Sequence, residues 1–76
     1  MKSAAAVEAK VFTTHILKFP AGYFLRRWGL RAVEIFTDTI GPFPSLPEAR
    51  GIIPASAVMS EPTREDHPAI CEVWRH

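Results

Sequence analysis

The stretch "AGYFLRRWGLRAVEIFTDTI", residues 21–40, decides the fold. Arg26, Arg27 and Arg31 sit there among Tyr23, Phe24, Trp28, Phe36 and several aliphatic residues. Set one residue every ~100°, the side chains of Phe24, Leu25, Trp28, Ala32, Val33, Ile35, Phe36 and Ile40 fall within about half a helix circumference. Arg26, Arg27, Arg31, Glu34, Thr37 and Asp38 fill the other half, shared only with Tyr23 and Leu30. Strand alternation carried through 31–38 groups Arg31 and Thr37 with Val33 and Ile35, a poorer division. Pro20 suits a first helical turn, and Gly41-Pro42 is a strong stop. Arg31 and Glu34, three apart, would pair on the wet side. Gly29 and the β-branched tail of Val33, Ile35, Thr37, Thr39 and Ile40 oppose a helix, and a hairpin turning at Pro20-Ala21-Gly22 is the rival. The partition favours an amphipathic helix over 21–40.

The flanks read differently. "KVFTTHILKF", residues 10–19, is rich in β-branched and aromatic residues and ends at Pro20, which predicts a strand. Six of the seven prolines fall in 42–68, where a long helix or central strand is excluded. Within that zone Ser45-Leu46-Pro47-Glu48 has the spacing of a capping box ahead of Gly51, enough for one helical turn. "ASAVMS", residues 55–60, fits a short strand. Phe43, Leu46, Ile52, Ile53, Val58 and Met59 imply that the zone wraps the domain as an ordered arm. "AICEVWRH", residues 69–76, reads as a closing strand, at an edge or paired with the first. Residues 1–9 are expected to be flexible.

Seventy-six residues make one small domain, burying only about 60% of the unfolded chain's surface. A net charge of +1 and 47% hydrophobic residues suit a globular protein rather than a nucleic-acid-coating one. Cys71 is the sole cysteine, so no intrachain disulfide forms, and an unpaired thiol points to a reducing compartment. The early apolar run is broken by Glu8 and Lys10, against a secretory signal, and no window resembles a membrane span. A cytoplasmic location is therefore expected, with no membrane partner.

The chemistry-bearing residues form no strong motif. His67, Cys71 and His76 are zinc-ligand types, but strand parity sends Cys71 and His76 to opposite faces, so no metal or other cofactor is expected. Cys71 beside His15 or His67 with an orienting acid would supply the residue types for nucleophilic catalysis. Such a trio arises by chance in a chain of this length, however, and a cysteine with apolar neighbours in a strand is usually inert. Glu65-Asp66 sits in a polar turn. Gly22, Gly29, Gly41 and Gly51 are isolated, so there is no phosphate-cradling loop. Neither catalysis nor a small-molecule substrate is expected. Pro44-Ser45-Leu46-Pro47 matches a P-x-x-P ligand spacing, a weak and common pattern.

These features predict an α+β domain: one amphipathic helix, two or three short antiparallel strands and a proline-rich arm over 42–68. The expected role is a non-enzymatic interaction module, a subunit or regulatory modulator that binds another protein or self-associates. Its anchors would be Arg27, Arg31, Trp28 and Trp74, residue types common at interface hot spots. The alternative is nucleic-acid binding through Lys18, Arg26, Arg27 and Arg31.

Overall fold

The computed structural model describes residues 9–64 and 66–76. It contains strands β1 (Ala9–Phe19), β2 (Gly22–Arg31) and β3 (Glu34–Phe43), a short helix α1 (Leu46–Arg50), and strands β4 (Val58–Ser60) and β5 (Ile70–Arg75). The strands form one sheet in the order β3-β2-β1-β5-β4, antiparallel throughout. The expected α+β domain with an amphipathic helix is therefore corrected to a five-stranded antiparallel sheet carrying a single five-residue helix among the described residues.

Residues 21–40 are extended and sheet-paired, and the rival hairpin at Pro20-Ala21-Gly22 is the one that forms, with Phe19 opposite Gly22. A second two-residue turn, Ala32-Val33, joins Arg31 to its cross-strand partner Glu34. Alternation must be restarted at that turn. Arg31 and Glu34 then share one side, while Ile35, Thr37 and Thr39 fall opposite Leu30, Trp28 and Arg26 on the other. The β-branched tail that weighed against a helix is the edge strand β3.

The elements anticipated in the flanks hold more closely. The first strand spans Ala9–Phe19. Ser45 caps α1, with its hydroxyl accepting from the Glu48 amide, as the capping box predicts. The strand anticipated over 55–60 is confined to Val58–Ser60, and the closing strand pairs with the first, one of its two expected placements, with β4 on its other side. The proline-rich zone thus contains the end of β3, α1 and β4. The expected flexible start falls on residues outside those described, apart from Ala9 at the head of β1.

Topology determines which face is covered. β1, β2 and β3 form a meander, and the chain then passes from the β3 edge to β4 on the opposite edge. That connection carries α1 across one face, over Ile16 and Leu25, which are both fully buried with Ala49 of α1. Tyr23, Ile40, Phe43, Leu46, Ile53, Cys71 and Trp74 pack around them. The next connection, 61–69, joins the neighbours β4 and β5, and its Asp66 acts on His15 on the other face, where Val73 is also buried. No described helix lies on the other side of the sheet.

Three register shifts interrupt the ladders. That of the β2–β3 pair lies at Gly41-Pro42, between the pairs Tyr23–Phe43 and Leu25–Ile40, and the other two are bulges in β1 and β5. One falls at Phe12 in β1, between Val11 and Thr13. Opposite Val11, Gly29 lies so close to β1 that a Cβ there would sit 2.1 Å from the Lys10 carbonyl oxygen. The other falls at Cys71, between the pairs Ile16–Glu72 and Leu17–Ile70. It turns the Cys71 thiol toward the core, where it donates to the Ile16 carbonyl at 3.4 Å.

Candidate interaction surface

The cross-strand register places specific side chains in rows on the face that α1 leaves open. Thr39, Arg26, His15, Val73 and Ser60 form one row across all five strands. Thr37, Trp28, Thr13, Arg75 and Val58 form the next. Phe24 and Leu17 are paired beyond the first row, and Leu30 and Lys10 beyond the second. His15 and Trp28 meet edge to face, with ring centroids 4.6 Å apart. Phe19 and Phe24 do the same at 5.8 Å. Aromatic rings on the two central strands are thus interleaved with cations.

Beside this patch is an open, apolar groove of about 480 Å³. Leu17, only 6% exposed, lies at its floor, and Phe19, Pro20, Ala21 and Phe24 line it with Arg26 and Thr39. The groove sits where the β1–β2 hairpin turns, so Pro20 and Ala21 supply a rim that the sheet itself could not. Phe19 remains 40% exposed there.

Charge separates the two faces. Strand positions on the open face carry Lys10, Arg26 and Arg75 and no carboxylate, and no described carboxylate forms an ion pair with any of the three. Burial lowers the pKa of His15, and Arg26 and Arg75 push it further down, while Asp66 from the 61–69 loop opposes them. His15 is therefore largely neutral near pH 7.

On the covered face every buried charge is matched. Arg27 grips Asp38 with two hydrogen bonds, Nε to Oδ1 at 2.9 Å and Nη2 to Oδ2 at 2.5 Å, which lower the Asp38 pKa and raise that of Arg27. Arg50, at the end of α1, reaches across to Glu72 in the same two-pronged way. Trp74 donates its indole N–H to Glu72 Oε1 at 2.8 Å. These contacts hold Glu72 below its ordinary pKa despite its burial. Glu72 thereby latches the crossing helix to the sheet.

The residues proposed from sequence are dispersed by this geometry. Of the protein-binding set Arg27, Arg31, Trp28 and Trp74, only Trp28 is on the open face. Arg27 is engaged with Asp38, Trp74 with Glu72 and the core, and Arg31 lies over the Phe36 ring at 4.8 Å near the β2–β3 turn. Of the nucleic-acid set Lys18, Arg26, Arg27 and Arg31, only Arg26 is there, because Lys18 projects over Tyr23 on the covered side. The open face instead adds Phe24, His15, Lys10 and Arg75, which sequence reasoning did not select. Lys10 and His15 of β1, Phe24 of β2 and Arg75 of β5 come together only through the cross-strand register, which sets Arg75 opposite Thr13 and Thr13 opposite Trp28.

His67, Cys71 and His76 are separated as well. The His67 ring nitrogen accepts from the Ala69 amide, Cys71 faces Ile16, and His76 Nε2 lies 2.7 Å from the Thr14 hydroxyl. Among the described residues no group of three or more His, Cys, Asp and Glu could hold a metal ion. Burial and the nearby Glu72 carboxylate raise the pKa of the Cys71 thiol, which disfavours the nucleophilic thiolate. His76 and Thr14 belong to a cavity of about 290 Å³ under Ile52, Ile53 and Pro54 on the covered face. No described helix is long and apolar enough to cross a membrane. No family model, curated protein or solved structure matches the chain.

Proposed function

We propose that the protein is a small interaction module that docks another polypeptide on the open sheet face. The observation that carries this reading is the asymmetry of the sheet. One connection crosses one face and closes it, while the opposite face keeps Trp28, Phe24 and an apolar groove beside Arg26. Aromatic and arginine side chains around a pocket are the usual anchors of a protein interface. Apolar surface of this kind beside a groove marks an interaction site more often than a free surface.

Differential capture tests this. The parent protein and a Phe24→Ser/Trp28→Ser variant are used as bait in extract from the native host, with unchanged circular dichroism showing that the variant folds. A polypeptide retained by the parent, lost from the variant and still retained by an Ile52→Ser control is the expected result. Retention that is the same on all three baits refutes the reading.

A second reading is single-stranded nucleic acid, since aromatic rings among unpaired cations on an open sheet can stack bases and contact phosphates. Its binding would weaken steeply as salt rises, whereas an apolar docking surface responds little. The groove and the net charge of +1 favour the polypeptide.

A further inference from the structure

We infer that the occupant of the open face is an acidic segment of a partner polypeptide, with a bulky apolar side chain seated in the Phe19–Phe24 groove and an adjacent carboxylate on Arg26. This rests on the reading of the open face as a docking surface and specifies what docks there.

Charge complementarity selects the partner. The strands present Lys10, Arg26 and Arg75 on that face without a carboxylate, although the covered face pairs Arg27 with Asp38 and Arg50 with Glu72. The fold thus neutralises Arg27 and Arg50 on the closed face, where Lys18 and Arg31 lie over aromatic rings, and leaves Arg26 and Arg75 without a described ion pair on the open one. Arg26 is exposed, lines the groove, and faces His15 across β1. A carboxylate there would gain a charge-assisted hydrogen bond with Arg26 and offset the positive charge that Arg26 and Arg75 place around His15.

The same charge pattern disfavours a second copy of this chain as the occupant. A two-fold contact places a patch against itself, so the three strand cations would meet cations, with Asp66 of the 61–69 loop the one described carboxylate acting on His15 there. The groove distinguishes polypeptide from nucleic acid. Leu17, Phe19, Pro20, Ala21 and Phe24 make most of its wall apolar, with Arg26 and Thr39 the only hydrogen-bonding side chains in its lining, which suits a leucine, phenylalanine or tryptophan. A base would have only Arg26 and Thr39 to meet the several polar groups of its edge. Three cations also give too few phosphate contacts for tight binding at physiological salt.

The test is selection from a random dodecapeptide library displayed on phage, using the full chain as bait. Enriched peptides are then synthesised and their affinity is measured by tryptophan fluorescence and heteronuclear NMR. The expected consensus is Leu, Phe or Trp flanked by Asp or Glu, with amide shifts confined to the groove and to Arg26. Arg26→Glu should weaken binding at least about tenfold, and Phe24→Ser should do so as well. Failure to enrich any peptide, a neutral or basic consensus, or indifference to Arg26→Glu overturns the acidic partner. Peptides without acidic residues that still require Phe24 and Trp28 would leave the docking face standing and refute only its charge preference. Enriched peptides that ignore Phe24 and Trp28, or an oligothymidine or anionic vesicle that outcompetes every peptide, refute the docking face itself.

Discussion

Replacing Gly29 by alanine separates a sheet from a helix over residues 21–40 by the sign of its effect. In an exposed or half-exposed helix the change would stabilise by about 1 kcal/mol, because glycine is the poorer helix former. In the sheet, the added Cβ would lie 2.1 Å from the Lys10 carbonyl oxygen and 2.9 Å from Val11 Cα, both backbone atoms of β1. Ordinary contact needs roughly 3.4 Å or more, so β1 and β2 must part locally by about an ångström. That opening breaks one or two ladder hydrogen bonds, worth about 1 kcal/mol each. It also disturbs packing beside the bulge, for a total loss of about 2–4 kcal/mol. Stability for a domain of this size is of order 4–11 kcal/mol. The midpoint of thermal unfolding should drop by about 10–25 °C. Urea denaturation followed by tryptophan fluorescence and circular dichroism measures the change. Gly51→Ala is the control, since its φ is −60° and its nearest contact would be Glu48 O at 3.2 Å, so it should cost less than about 1 kcal/mol. A Gly29→Ala protein as stable as the parent, or more stable, would refute the close strand approach and the register built on it.

Ala32→Gly should stabilise the protein by about 0.5–1 kcal/mol, because Ala32 holds φ at +57° in the β2–β3 turn and glycine meets little steric penalty there. No gain in urea midpoint would contradict that turn. Acid should unfold the protein through Asp38 and Glu72. Both carboxylates have lowered pKa values in the fold, so their contribution is complete above their ordinary 3.8 and 4.5 and is lost as pH falls through the lowered values. Stability measured by urea should therefore begin to decline below about pH 5, and Glu72→Gln should flatten part of that decline. An unchanged acid slope would show that the Arg50–Glu72 latch contributes nothing.

The candidate face was only partly legible, for reasons visible in single residues. Polarity did not mark inside and outside in residues 21–40, because Arg27 and Asp38 face the covered side as a matched pair while Phe24 and Trp28 face the open one. The turn at Ala32-Val33 lacks the glycine or asparagine that would announce a hairpin. Alternation counted through it therefore changes phase, and the apolar residues fall by coincidence onto one side of a helical wheel. Gly29 was the informative residue, since an isolated glycine in an apolar run also marks a bulge or close backbone contact.

Local sequence determined much of the rest. β-branched and aromatic residues made 10–19 a strand, prolines kept 42–68 from becoming a long helix, Ser45 and Glu48 capped α1, and 69–76 supplied a closing strand, because each of these depends on backbone sterics or neighbours within a few positions. Tertiary structure alone decided that β5 enters between β1 and β4 and that α1 crosses over Ile16 and Leu25. Those choices maximise burial across residues far apart in the chain, and they leave Trp28 and Arg26 on the uncovered face while drawing Arg27 and Trp74 beneath the helix-bearing arm.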